Sequence, residues 1–367
     1  MKAPDTRPEV TFLIRQRVPG DEDGMIACIR DEYGDTYFKR DFYDAKYLRG
    51  EAESGHITFL VAEVISGKEE GTPEGEAIAS SSDVIVGEPS GQKAGKLPDE
   101  IAGMMILKEF YPEESMCEIA SQIIRKKYRG HGLAMAFFEY GMKLLLSRNY
   151  SAAYCLPVVF HDVTQRLLQR LGLVATGFVL NVFDMKKITH SYQNGRNQKH
   201  SQGIQIRAVG KRDAGVLYVP AEHMEFVHEI YERLGVNYHI VTETSKQRKL
   251  FKSVIEYKQD RIQSSMEIRV HRAGADLLER LLEIQQNYPL KGRQTANIFL
   301  NINDCGAIRA YEKLKQTGYF FTGLKPLCSE REYMVLHNPG EVSICFEDYV
   351  VSEEFAEILK YIAGQRN

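Results

Sequence analysis

The stretch Ile123-Ile124-Arg125-Lys126-Lys127-Tyr128-Arg129-Gly130-His131-Gly132-Leu133-Ala134 decides how this chain is read. It joins an apolar strand to a long helix predicted over 132–148, in which Leu133, Phe137, Phe138, Leu144 and Leu145 fall near helical spacing and Glu139, Lys143 and Arg148 lie towards the other face. Two glycines in the turn permit positive φ and a close backbone approach, while the helix start offers unpaired N–H groups and the positive end of its dipole. Phosphate or pyrophosphate suits such a place. Arg125, Lys126, Lys127 and Arg129 put four cations within five positions of it. The same residues also fit a plain strand-to-helix turn with a solvated basic run. Two common phosphate loops are excluded: there is no Gly-x-x-x-x-Gly-Lys-Ser/Thr, and Met135 stands where Gly-x-Gly-x-x-Gly needs its third glycine.

Working outward, the pattern predicts a strand at 11–17, helices at 20–33 and 44–54, and strands at 57–64, 101–109 and 117–124. A strand at 151–156, a helix at 162–171 and a strand at 174–186 follow the long helix. This is a mixed α/β order. Ser66 to Pro98, with Gly67, Gly71, Gly75, Gly87, Gly91, Gly95, Pro73, Pro89 and Pro98, has a turn- and disorder-prone composition.

A faint repeat is present. Phe12-Leu13-Ile14-Arg15 before Asp21–Gly24 recurs as Ile204-Gln205-Ile206-Arg207 before Asp213–Gly215, and Gly172-Leu173-Val174-Ala175-Thr176-Gly177-Phe178 recurs as Gly318-Tyr319-Phe320-Phe321-Thr322-Gly323-Leu324. Ile14 to Gly172 spans 158 positions and Ile206 to Gly318 spans 112, so the second copy is about 46 shorter. The polar run His190–Gly203 reads as a linker. The expected division is 1–189, a linker at 190–203, and 204–367.

The 367 residues call for two or three domains, and 43% apolar with 26% charged residues is a globular composition. A formal charge of −3 leaves no global basic field for nucleic acid or an anionic membrane. Cys28, Cys117, Cys155, Cys305, Cys328 and Cys345 lack zinc or redox spacing and read as reduced thiols. His223 and His228, five apart, do not share a helix face, so no metal is expected. Met1–Glu9 is charged where a signal peptide is apolar, and no run approaches 18 apolar residues, so a soluble cytoplasmic protein without a membrane span is expected.

Arg129-Gly130-His131-Gly132-Leu133-Ala134, after a strand and before a helix, resembles the acetyl-CoA pyrophosphate loop of the GNAT acetyltransferase superfamily, Gln/Arg-x-x-Gly-x-Gly/Ala. The element order of 11–186 is similar as well, with Arg15 on the first strand, Val61-Ala62-Glu63 ending one strand and Glu100-Ile101-Ala102-Gly103 starting the next. The helix ending Arg170-Leu171-Gly172-Leu173 closes the match. The resemblance implies an acyl-CoA N-acyltransferase fold in two tandem copies, the second degenerate. Two departures stand out: Lys127 holds the motif's first position, and Leu168 stands where many members carry a general-acid tyrosine.

The resemblance implies acetyl transfer from acetyl-CoA, the cosubstrate, to an amine of a small molecule, amino acid or protein. Ile123, Ile124, Arg125, Arg129, Gly130, His131, Gly132, Leu133 and Ala134 would hold the donor. Glu118 would serve as base, and Tyr154 or His161 would stand in for the missing acid. Side-chain alternation would put Glu118, Gln122 and Ile124 on one face if no bulge intervenes. Tyr33, Tyr37, Phe38, Phe42, Tyr43 and Tyr47 could line the acceptor pocket or be core.

In the second copy, Glu267-Ile268-Arg269-Val270 leads to a helix from about Asp276 to Gln286 through His271–Ala275, which lacks Gly-x-Gly. Asp276 at the N-cap is expected to take the N–H groups that a pyrophosphate needs. One cofactor site per chain follows, in the first copy. A last helix at 352–363, with Phe355, Ile358, Leu359 and Ile362 as its stripe, is expected to dock on a neighbouring domain or subunit, which admits a homodimer. A CoA-binding regulatory or scaffold protein without catalysis is the rival reading, favoured by Leu168.

Overall fold

The computed structural model describes residues 10–37, 39–65, 76–77, 84–87, 100–109, 115–184, 196–210, 212–243, 251–329 and 331–365. By contact density the chain forms two units, one of residues 1–110 and 117–148, the other of 111–116 and 149–367.

The first unit begins with β1 (Thr11–Gln16), whose Phe12 and Ile14 are fully buried. Arg15 on this strand is buried too. Its guanidinium donates to both oxygens of Asp21, at 2.6 and 3.0 Å, and to Glu63 at 2.8 Å, pinning the entry to α1 (Glu22–Tyr33). After α2 (Ala45–Glu53) come β2 (Ile57–Ile65), β3 (Glu76–Ala77), β4 (Val84–Val86), β5 (Ile101–Lys108) and β6 (Met116–Ile124), then α3 (Leu133–Ser147). The strands run in the order β6-β5-β2-β1-β4-β3, antiparallel except for β1 beside β4. Val84–Val86 therefore form a strand inside the run read from composition as loop; the rest of 66–98, apart from residues 76–77 and Gly87, lies outside the described residues.

α1 and α2 cover one face of this sheet, where Met25, Ile29 and Leu48 meet Phe59, Val61, Met104, Ile106 and Ile123. α3 covers the other. A methyl added at Gly141 would stand 2.8 Å from Met105 Cε, so the missing side chain lets α3 sit close.

The second unit contains β7 (Ala152–Cys155), α4 (Val163–Arg170), β8 (Val174–Asp184), β9 (Lys199–Ala208), β10 (Asp213–Tyr218), α5 (Met224–Leu234) and β11 (Asn237–Val241). It continues with β12 (Val254–Asp260), β13 (Ser265–Arg272), α6 (Leu277–Asn287), β14 (Thr295–Asn301), α7 (Ala307–Gln316), β15 (Phe320–Cys328), β16 (Arg331–Asn338) and α8 (Glu353–Gly364). Its main sheet runs β12-β13-β14-β16-β15-β8-β9-β7, with β10 and β11 as a separate parallel pair.

That order is a palindrome about its middle, since β15-β16-β14 outward on one side matches β8-β9-β7 on the other. The matching glycines of the Gly-x-x-x-Thr-Gly repeat meet there, Gly177 opposite Gly323. Thr176 Oγ1 donates to Leu324 O at 2.8 Å, and Thr322 Oγ1 donates to Phe178 O at 2.9 Å. Each copy thus gives the other the same bond, as in a two-fold symmetric interface.

The repeat at the chain's other end does not hold. Ile204–Arg207 lie in β9, which pairs antiparallel with β7 and β8 and so closes the first copy, while β1 pairs with β2. An apolar-polar alternation reports a half-buried strand but not its partner. Lys199–Gly203, read as linker, are part of the same strand, and residues 190–195 lie outside the described residues. Because β7, β8 and β9 pair together, contact density divides the chain at Arg148/Asn149 rather than near 190–203.

α8 docks on β8 and β15 through Phe355, whose ring lies 5.1 Å from that of Phe178 and fills the space a side chain at Gly203 would need. No helix among the described residues is long and apolar enough to cross a membrane.

Two stability tests follow. A Cβ at Gly323 would stand 2.2 Å from Gly177 Cα, and one at Gly177 2.6 Å from Gly323 Cα. Either glycine changed to alanine should cost about 3 kcal/mol in urea unfolding, the upper end for overpacking, because backbone cannot step aside as a side chain can; a loss within error would contradict the packing. Glu332 is buried, and its Oε2 accepts from Tyr231 Oη at 2.6 Å and Leu327 N at 2.8 Å. Burial pushes its carboxyl from 4.5 up to about 7, against the pull of those donors. The folded chain then holds this proton more tightly than the unfolded one, so the stabilisation is complete below about 4.5 and is lost as pH rises through 7. Glu332→Gln should gain in Tm relative to wild type between pH 5 and pH 8, and a constant difference would contradict this.

Candidate functional site

α3 starts without a cap. Its N-cap residue is Gly132, left-handed at φ +78, after Gly130 at φ +88. With no side chain to turn back, Gly132 satisfies none of the first-turn donors. Ala136 is the first to reach a helical acceptor, Gly132 O at 3.1 Å, which leaves the N–H groups of Leu133, Ala134 and Met135 without one. These groups border a cavity of about 430 Å³ that Ile123, Ile124 and Tyr33 also line.

β6 supplies the opposite wall. Arg125 donates its N–H to Ala102 O at 2.9 Å, so by the alternation of an antiparallel ladder the N–H of Ile124 points away from β5. The side chain of Gln122 donates to Ala134 O at 2.9 Å and ties the strand to the first turn of α3. His131 packs beside Phe12 at a tilt, with ring centroids 5.4 Å apart.

The four cations of the turn are largely answered by carboxylates. Glu100 accepts from Arg125, from Lys127 at 2.9 Å and from Tyr128 Oη at 2.6 Å. Burial raises its carboxyl, but these donors outweigh that and hold it below the usual range. Glu32 pairs with Arg129, and Asp31 accepts the N–H of Lys126 at 2.8 Å. What the turn leaves towards the cavity is therefore backbone N–H more than excess positive charge. Sequence could not show these partners, which lie 25 to 97 positions away from the cations they meet.

A bulge intervenes in β6, and it changes which residues share a face. Ala120 faces Ile106 and Ile123 faces Met104, so three steps on β6 answer two on β5. Ser121 takes the extra place at φ +46, a left-handed conformation rare outside glycine. Glu118 therefore shares a face with Ala120 and Ile123, not with Ile124 as alternation alone gave; this is the face under α1 and α2. Tyr37 Oη lies 3.2 Å from Ser121 Oγ. Burial raises the Tyr37 hydroxyl, and the Glu118 charge adds to this. Burial lowers the Lys39 ammonium, with Glu118 opposing. Half-buried Glu118 thus acts electrostatically on a tyrosine and a lysine. Of the aromatic residues singled out, Tyr37 and Phe42 are core, Tyr33 lines the cavity, and Phe38 lies outside the described residues.

Tyr154 and His161 belong to the second unit. Tyr154 is buried on β7 under the ammonium of Lys325, 5.1 Å from its ring centroid. His161 is half-buried before α4, its Nδ1 is enclosed without a hydrogen-bond partner, and burial lowers its pKa. Leu168 is fully buried.

The corresponding turn of the second copy is filled by the chain itself. Ala275 N donates to Phe251 O at 3.3 Å, Gly274 N to Ser253 Oγ at 2.9 Å, and Ala273 N to Asp304 at 2.7 Å. Asp276 is the N-cap residue of α6, yet its carboxylate accepts from Ser253 N at 2.7 Å and caps nothing in the helix. These bonds engage the turn before α6 and not the first donors of the helix itself, of which Leu277 N reaches Gly274 O at 3.4 Å; the expected cap by Asp276 is absent.

No protein-family model matches the chain, and no curated protein sequence matches it. Several solved structures are similar. A chimera of the Vibrio cholerae spermidine N-acetyltransferase is 13% identical and covers 54% of this chain and 96% of its own, at a TM-score of 0.36. An N-acetyltransferase from Staphylococcus aureus Mu50 is 11% identical over 54% of this chain and 99% of its own, at 0.37. A structure assigned to the GNAT family of acetyltransferases, from Desulfovibrio desulfuricans, is 10% identical over 55% of this chain and 100% of its own, at 0.36. This chain is a mixed α/β protein, and the structures similar to it have the acyl-CoA N-acyltransferase fold. At these identities and scores nothing about substrate or catalytic residues carries over to it.

Proposed function

We propose that this protein is an N-acyltransferase that takes acetyl-CoA as donor and a primary amine as acceptor. The observation that carries this reading is the uncapped start of α3 at Gly132, three backbone donors wide, opening on a cavity walled by Ile123 and Ile124. The residues fit the group: N–H donors need an acceptor from outside the helix, and the turn has no side chain to supply it.

In this reading the donors of Leu133, Ala134 and Met135, with Arg129, hold the pyrophosphate, and the strand residues Ile123 and Ile124 border the pantetheine arm. The thioester supplies an activated acyl carbon and a thiolate leaving group. The N–H of Ile124 polarises the carbonyl, a preset donor of the kind that contributes most in acyl transfer. Glu118 removes a proton from the ammonium, directly or through water, so that the neutral amine attacks. The thiolate takes up a proton as it leaves. That proton comes from solvent in this reading, and the acceptor is a small molecule, an amino acid or a protein. The two copies divide after β9, near residue 208, and donor binding belongs to the first.

Leu168, fully buried where a general-acid tyrosine would stand, favours a second reading, a CoA-binding protein without catalysis. Thiol release from acetyl-CoA with a panel of amines separates the two. Wild type should release thiol, Glu118→Gln should bind acetyl-CoA but release thiol about 100-fold more slowly, and Gly130→Asp should do neither. Binding without release for any amine would leave only the second reading. Equilibrium dialysis should find one acetyl-CoA per chain, and two equivalent sites would contradict the filled turn at 271–276.

A further inference from the structure

α1 ends in Asp31-Glu32-Tyr33, which places two carboxylates at the negative end of a helix dipole, where they weaken the helix. Their partners explain them. Asp31 accepts the main-chain N–H of Lys126 at 2.8 Å and so holds the backbone of the turn. Glu32 acts on a side chain instead: its Oε2 accepts from Nη2 of Arg129. Glu32 and Arg129 both line the cavity, together with Gly130, Gly132 and the first turn of α3.

We propose that Glu32 is an internal counter-ion of the donor site, a carboxylate that occupies Arg129 until a phosphate displaces it and that hastens the departure of the nucleotide product. The proposal rests on the reading that this cavity takes a CoA thioester. The side chains of Arg129 and Glu32 are 51% and 29% exposed, so the pair is of the surface kind whose net worth is small, and a polyanion can replace it. Once displaced, the carboxylate stays at the cavity wall as a like charge beside the phosphates. Free CoA has the same pyrophosphate as the acetylated donor, so the competitor acts equally on substrate and product. It limits how firmly either is held. Glu100 plays no such part, since it answers Arg125, Lys127 and Tyr128 and does not line the cavity.

The test compares wild type with Glu32→Gln for three ligands by calorimetry or competition: CoA, inorganic pyrophosphate and pantetheine. The variant should bind CoA and pyrophosphate about three- to ten-fold more tightly, release CoA correspondingly more slowly, and leave pantetheine unchanged. Equal or weaker binding of both polyanions would overturn the proposal, and so would a gain shared by pantetheine, which would signal a general rearrangement of the cavity. If wild type binds pyrophosphate but not CoA, the donor reading falls while the pyrophosphate comparison still decides the role of Glu32. If it binds neither, both fall.

Discussion

A helix start must have its first donors answered from somewhere, and the turns that lead into the two corresponding helices of this chain differ in what surrounds them. In the first copy α3 opens on Gly132, which brings no side chain, and the donors of Leu133, Ala134 and Met135 face a cavity. In the second copy the turn before α6 is answered internally by Phe251, Ser253 and Asp304. The turn before α3 borders a cavity, and the turn before α6 is bonded to other segments of the chain. The copies therefore differ in what occupies the turn more than in charge, since basic residues occur in both turns and those of the first are mostly paired with acids.

The bulge at Ser121 matters next, because it sets what β6 presents. It turns Glu118, Ala120 and Ile123 to the side under α1 and α2, where Tyr37, Ser121 and Lys39 gather. It also lets Gln122 reach across to the start of α3. A strand without the extra residue would put Glu118 in phase with Ile124 and separate the base candidate from this polar cluster. Left-handed backbone at a serine is costly, and such strain gathers where geometry has a task.

Much of this was legible in residues. The strand-turn-helix at 123–134, the order of elements through 174–184 and the Gly-x-x-x-Thr-Gly repeat all depend on local pattern, and the repeat proved to be a contact as well as a likeness, with Gly177 against Gly323. What escaped was pairing at a distance. Ile204–Arg207 reads as a strand, but only the register with β7 and β8 assigns it to the first copy. The carboxylates of Glu100, Glu32 and Asp31 reach the basic turn from other elements, and no spacing announces that. Asp276 sits at an N-cap, yet Ser253 takes its carboxylate, because local capping rules do not see a competing donor brought in by the fold.

The measurement that bears most directly on this account is a structure of the protein bound to acetyl-CoA. The account predicts pyrophosphate oxygens within about 3.2 Å of the N–H groups at 133–135, the thioester oxygen facing the N–H of Ile124, and nothing bound at the turn 271–276. Acetyl-CoA seated elsewhere, with the start of α3 still empty, would contradict it.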